Sequence, residues 1–146
     1  MIKGYEDIKS YQEIEKENKI LYLLNQELSV VVVKKITGKK CESWFEKETS
    51  GSLYGYELIL DNGNRVFIDT KLCGEYVLLH KLFIKEKKTG LGSRILKFYK
   101  HFIDVNGGVF MVCGVINQDF FNKFHWLIFD EYQNYYYRFG MNEKGK

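Results

Sequence analysis

Proline is missing from this chain, and so is alanine. Neither absence points to a function; a biased coding composition explains both. Cysteine is scarce. Cys41, Cys73 and Cys113 are odd in number, widely spaced and without a C-x-x-C pair, which argues for a reducing compartment, the cytoplasm. Cys113, inside an apolar run, reads as a small packed hydrophobe. No spacing of His, Cys, Asp and Glu suggests a metal, and no Cys–His or Ser–His order assembles into a nucleophilic site. A strong surplus of either charge is lacking too: 22 basic and 19 acidic residues leave +3. That suits a phosphate-bearing ligand and argues against nucleic acid as the main partner. The first ten residues carry Glu6 and Asp7 and no apolar stretch, so no signal peptide is expected. The longest uncharged run, residues 105–118, falls short of the roughly 20 residues a membrane helix needs and is broken by Asn106-Gly107-Gly108. A soluble protein is expected.

What is present is core material. The chain has 146 residues, 45% hydrophobic and 16% aromatic, enough for one domain over 1–146 with a buried interior. No repeat, linker or low-complexity block divides it. Ser10 and Glu13 form an S-x-x-E capping box, and Ile14, Leu21, Leu24 and Leu28 recur at helical spacing, which predicts a helix over about 10–28. Residues 30–36 are β-branched and read as a strand. Residues 39–50 are charged around Trp44 and Phe45 and fit a loop or a short helix. Strands are expected over 52–60 and 65–69, joined through Asp61-Asn62-Gly63-Asn64 as a hairpin. Residues 75–84 predict a further, largely apolar and central strand. Ile95, Tyr99, Phe102 and Ile103 then define one apolar helical stripe, with Arg94, Lys97, His101 and Asp104 opposite. Asn106-Gly107-Gly108 stops this helix, and a buried strand over 109–116 follows. Strand, turn, helix and strand make a crossover, so the flanking strands should be parallel. The fold class is α/β in the broad, α+β sense: a mixed, mostly antiparallel sheet with one parallel crossover.

Between strand and helix lies Lys87-Lys88-Thr89-Gly90-Leu91-Gly92-Ser93. Two glycines let the backbone turn with its amides inward and remove side chains from a ligand's path. The helix start adds unbonded N–H groups and the positive end of a dipole, which together favour an anion. A Walker loop would need Gly-Lys-Ser/Thr where Gly92-Ser93-Arg94 stands. A dinucleotide fingerprint would need a small residue in place of Ile95.

A third phosphate motif fits better. Lys87-x-x-Gly90-x-Gly92 resembles the Gln/Arg-x-x-Gly-x-Gly/Ala motif of the GNAT superfamily of acetyl-CoA-dependent N-acyltransferases, with lysine in the leading place. The strand Leu79-His80-Lys81-Leu82-Phe83-Ile84 resembles that family's fourth strand, whose main chain pairs with the pantetheine arm. Asn117 resembles the asparagine that follows the fifth strand. Phe120-Phe121-Asn122-Lys123-Phe124-His125-Trp126 resembles the family's Phe-Tyr-x-Lys-x-Gly-Phe segment, and 135–139 its closing strand. The resemblance covers 75–139; the first half of the chain matches in order of elements only. It departs in three ways. Phe121 replaces a tyrosine that protonates the leaving thiolate, His125 replaces a glycine, and Asn117 precedes Phe120 by a short gap.

The resemblance implies an acetyl-CoA-dependent N-acetyltransferase acting on a primary amine carried by a small molecule, peptide or protein. Leu82, Phe83, Ile84, Lys87, Lys88, Thr89, Gly90, Leu91, Gly92, Ser93, Arg94 and Asn117 would contact the coenzyme, with strand amides near Phe83 and Ile84 polarising the thioester. His80 is the candidate general base, taken to share a strand face with Leu82 and Ile84 and suited to proton pickup; the bland reading is a histidine satisfied by a carbonyl or facing outward. Glu75, Glu57 and Tyr135-Tyr136-Tyr137 read as strand ends and a β-propensity run, and Phe121 with Trp126 as core packing. A non-catalytic module of the same fold is the alternative. A Lys- and Tyr-rich interaction protein is a second.

Overall fold

The computed structural model describes residues 5–8, 10–39, 52–113, 118–130, 132 and 134–140. The segment 40–51, Asn117 and the end of the strand expected over 109–116 lie outside these residues. Among the described residues twelve elements follow in chain order: β1 (Tyr5–Ile8), α1 (Tyr11–Glu17), α2 (Lys19–Leu28), β2 (Val30–Lys39), β3 (Ser52–Leu60), β4 (Arg65–Cys73), β5 (Tyr76–Ile84), α3 (Leu91–Asn106), β6 (Val109–Val112), α4 (Gln118–Asn122), β7 (Ile128–Phe129) and β8 (Tyr135–Arg138).

The strands form one eight-stranded sheet in the order β1-β2-β3-β4-β5-β6-β8-β7. Neighbours are antiparallel except β5 and β6, which run parallel around α3. The mixed sheet and its single crossover are therefore present. Two differences from the sequence reading stand out. Strand β1 is additional, so the strand leading into the glycine turn is the fifth in order and not the fourth. The single helix over 10–28 is two helices, because Asn18 adopts extended angles (φ −153°, ψ 94°) between them. Its N–H bonds back to the Ile14 carbonyl at 2.7 Å. Its Oδ1 accepts the Leu21 N–H at 3.1 Å, capping α2, while Nδ2 donates to the Thr70 carbonyl at 2.8 Å. The Ser10 cap holds, with Glu13 N–H donating to Ser10 Oγ at 3.2 Å.

One continuous core joins the helices to the sheet: Leu21, Leu24 and Leu28 of α2, Ile95, Leu96, Tyr99 and Ile103 of α3, and Val66, Ile68, Leu79 and Phe110 from the strands. Each such side chain removed from water contributes about 1.5–3 kcal/mol. Tyr99 is fully buried, stacks on Phe110 with ring centres 4.5 Å apart, and donates its hydroxyl to Thr70 Oγ1 at 2.7 Å. Burial and the nearby Asp69 charge raise its phenol pKa, though the Thr70 bond opposes them.

Asn25 breaks the pattern. It is fully buried in α2, yet neither amide atom has a hydrogen-bond partner. An unsatisfied buried polar group costs about 1–3 kcal/mol. Asn25→Leu, close in shape, should raise stability by roughly 1 kcal/mol or more in urea denaturation. A lower midpoint would show that the amide has a role the fold depends on.

Candidate functional site

The turn after β5 is built on its neighbour hairpin. Lys85 N–H donates to the Arg65 carbonyl at 2.9 Å, extending the β4–β5 ladder past Ile84. Asn64, buried at 2% exposure, then takes both polar groups of Glu86. Glu86 N–H donates to Asn64 Oδ1 at 3.0 Å, and Asn64 Nδ2 donates to the Glu86 carbonyl at 3.3 Å. Sequence reading takes Asn64 only as a hairpin residue, because a contact between residues 64 and 86 leaves no local signal. The chain reverses through two positive φ angles, 63° at Lys88 and 79° at Gly90.

Helix α3 begins at Leu91, and no side chain caps it at Gly90. The first intrahelical bond runs from Arg94 N–H to the Gly90 carbonyl at 3.1 Å, so the N–H groups of Leu91, Gly92 and Ser93 have no partner inside the helix. Leu91 N–H makes one long contact, 3.4 Å, to Thr89 Oγ1. Lys85, Lys87, Lys88, Thr89 and Gly90 are exposed, whereas Leu91 and Gly92 are buried.

The two glycines have different physical causes. Gly90 needs its positive φ, and a Cβ there would meet nothing within 4 Å. A Cβ on Gly92 would lie 2.7 Å from Phe120 Cζ. Packing of the Phe120 ring accounts for Gly92, whereas Gly90 answers to its backbone angle alone.

Among the described residues β5 pairs with β6 from Tyr76↔Val109 to Leu79↔Val112, and Cys113 N–H donates to the Leu79 carbonyl at 3.0 Å beyond. Residues 80–84 stay paired with β4. Among the described residues no strand pairs with their other edge. Leu82 and Ile84 pack partly on the core, while Phe83 stacks on Phe67 of β4 with ring centres 6.1 Å apart.

A bulge interrupts the β4–β5 pairing just before these residues. Asp69 pairs with Lys81 and Thr70 with Leu79, which leaves His80 as the extra residue. This corrects the face expected for His80. The core side passes from Val77 and Leu79 to Leu82 and Ile84 across the bulge, so simple alternation from Ile84 does not reach His80. The His80 Nε2 atom is out of water and has no hydrogen-bond partner, so the reading in which a carbonyl satisfies it does not hold for that atom. Asp69 is half-buried, and burial holds its carboxyl above the usual carboxylate range, although the charges of His80, Lys81 and Lys71 pull the other way.

The remaining residues of the sequence reading are placed as follows. Arg94 donates from Nη2 to the Glu27 carbonyl at 2.6 Å, tying α3 to the end of α2. Phe121 is buried and stacks on Tyr135 at 5.5 Å, and Tyr135 donates its hydroxyl to Asn122 Oδ1 at 2.5 Å. Trp126 packs edge-on against Tyr137, whose hydroxyl bonds Asp104. Glu57 is fully buried with Arg65 Nη1 at 3.4 Å, and Glu75 is exposed. A shallow groove lined by Leu23, Phe98, Phe102 and Val105 opens between α2 and the far half of α3, away from the turn. Among the described residues no group of His, Cys, Asp and Glu could hold a metal ion, and no helix is long and apolar enough to cross a membrane. No protein-family model, curated protein or solved structure matches the chain.

Proposed function

We propose that this chain is a GNAT-like N-acetyltransferase that holds acetyl-CoA along the open edge of β5, with the coenzyme's pyrophosphate on the turn from Lys87 to Ser93. One observation carries the reading: β5 leads through a turn with a positive φ at Gly90 into a helix whose first N–H groups have no partner inside the helix. An extended amide-bearing chain can pair with an open strand edge as another strand would. The N–H groups at the start of α3 favour an anion there, and the exposed lysines add to the positive charge. Room at Gly90 fits this use; the close packing of Phe120 on Gly92 confines the ligand to the Gly90 side.

Bound acetyl-CoA supplies the thioester. The chain's own part is to align it, to polarise its carbonyl with main-chain N–H groups near Phe83 and Ile84, and to take up a proton from the amine at His80. The amine nitrogen forms its bond to the acetyl carbon as the carbon–sulfur bond breaks. The proton taken by His80 passes to solvent, and the thiolate is protonated by water or by the acceptor. A thiol is a weak enough base, about pKa 8.5 for cysteine, for this to proceed without a dedicated acid.

A second reading is a coenzyme-binding module without catalysis. Phe121 favours it, because the position carries no hydroxyl and lies in the core. Isothermal titration with acetyl-CoA and free CoA, followed by turnover on a panel of primary amines and peptides, separates the two. Both ligands should bind. His80→Gln should lower turnover roughly 10²-fold with coenzyme affinity unchanged. No heat of binding removes both readings, and binding without turnover in either form leaves the module.

A further inference from the structure

The turn that leads into α3 is fixed from outside itself. The β4–β5 ladder ends at Val66↔Ile84, extended by the bond from Lys85 N–H to the Arg65 carbonyl. From there to Gly90 the chain is exposed, and it passes through two left-handed positions. One of them is Lys88. A lysine keeps a φ of 63° only where the structure around it holds it there.

Asn64 supplies that hold. Its main chain serves its own hairpin: Leu60 N–H donates to the Asn64 carbonyl at 2.9 Å, and Asn64 N–H donates to Asn62 Oδ1 at 2.9 Å. Its side chain reaches out of the hairpin. Besides accepting the Arg65 N–H at 2.8 Å, it takes the N–H and the carbonyl of Glu86. The Glu86 carbonyl also accepts from Thr89 Oγ1 at 3.4 Å, and that oxygen accepts the N–H of Leu91, the first residue of α3. A chain of bonds therefore runs from the hairpin to the helix start. Shielded from water, the Asn64 bonds are its firm end, and the long Thr89 contacts are the end that an arriving anion can replace.

We infer that Asn64 is the positioning residue of the phosphate turn: it holds Glu86 so that residues 87–93 present their N–H groups in one arrangement before a ligand arrives. This rests on the acyltransferase reading for the ligand, coenzyme A; the hold itself does not. Asn64 does not touch the ligand in this scheme; it acts through Glu86 and Thr89. Groups kept in place by a supporting layer of hydrogen bonds bind more tightly, because less ordering remains to be done on binding. The pyrophosphate keeps its charge throughout acetyl transfer, so contacts with it stabilise the ground and transition states alike. Losing the hold should therefore raise KM for acetyl-CoA and leave kcat in place.

Asn64→Ala removes the hold. Asn62→Ala is the control, because it takes a bond from the same hairpin and spares the Asn64 side chain. By NMR relaxation on the intact, unliganded chain, backbone order parameters at 87–90 should be about 0.85 in wild type and in Asn62→Ala, and below about 0.6 in Asn64→Ala. The Kd for coenzyme A and the KM for acetyl-CoA should rise roughly tenfold in Asn64→Ala, with kcat within about twofold of wild type. A turn that stays rigid in Asn64→Ala overturns the proposal, as does an equal loss of affinity in Asn62→Ala. A turn already mobile in wild type overturns it too, and that measurement needs no variant to fold. If wild type binds no coenzyme A, the acyltransferase reading falls while the order parameters still judge the hold.

Discussion

Gly90→Asp should lose at least about 10²-fold in affinity for coenzyme A, roughly 3 kcal/mol, and keep its fold. The residue is exposed, and an added side chain would meet nothing within 4 Å, so there is no steric reason for the turn to change. Its φ of 79° is left-handed, and aspartate is among the few residues that tolerate this region. What changes is charge. A carboxylate beside a bound pyrophosphate at about 4 Å is repelled by roughly 4 kcal/mol near a protein surface, less after salt screening. Gly90→Asn supplies the control, equal in shape and neutral, and should keep most of the affinity. Titration calorimetry with far-UV dichroism decides it. Equal binding by wild type and the aspartate variant would remove the turn as the ligand site.

Gly108→Ala should be among the most destabilising small changes in the chain, by about 3 kcal/mol. After α3 ends, Gly107 and Gly108 turn the chain into β6 with φ of 82° and 98°. A Cβ on Gly108 would lie 2.4 Å from the Glu75 carbonyl oxygen. That oxygen accepts the Val109 N–H at 2.9 Å, at the start of the parallel pairing between β5 and β6. Backbone meets backbone there, so relief requires breaking that bond or shifting a strand. Strain at a left-handed position adds about 1–3 kcal/mol and overpacking about as much. For a domain of this size the melting temperature should fall by roughly 10 °C. Gly107→Ala, with nothing within 4 Å of its Cβ, should suffer the backbone strain alone and lose less. Equal, small shifts in the two variants would refute the clash.

The crossover is legible in the sequence because its signals are local and agree. The apolar stripe of α3 has one period, Asn106-Gly107-Gly108 ends it, and apolar strands flank it. The break at Asn18 is hidden for the opposite reason. Ile14, Leu21, Leu24 and Leu28 keep helical spacing across it, and the bond that draws Asn18 away comes from Thr70. Strand β1 spans only Tyr5–Ile8, two of its four residues are charged, and its pairing is with β2, beyond both helices. The candidate site divides in the same way. Gly90 and the lysines are readable from the turn itself. The bulge at His80 sits in an apolar run with no glycine to mark it, and the Asn64 clamp bridges two separate turns. Neither can be found without the pairing of β4 with β5.

The parallel contact between β5 and β6, four pairs among the described residues, has a consequence for how the molecule comes apart. Strands β1–β5 follow one another in antiparallel ladders, long between β2 and β3 and between β4 and β5, whereas β6, β8 and β7 join them through a parallel pairing of Tyr76–Leu79 with Val109–Val112. Across that seam the anchors are Phe110 stacked on Tyr99 and Tyr137 bonded to Asp104 of α3. Partial opening in proteins follows such lines, releasing contiguous blocks below the free energy of global unfolding. The parallel seam between β5 and β6, where the chain order of the sheet changes direction, is one such line. A molecule that touches both sides of the seam binds only the closed form, and it raises the free energy of opening with its concentration over its dissociation constant.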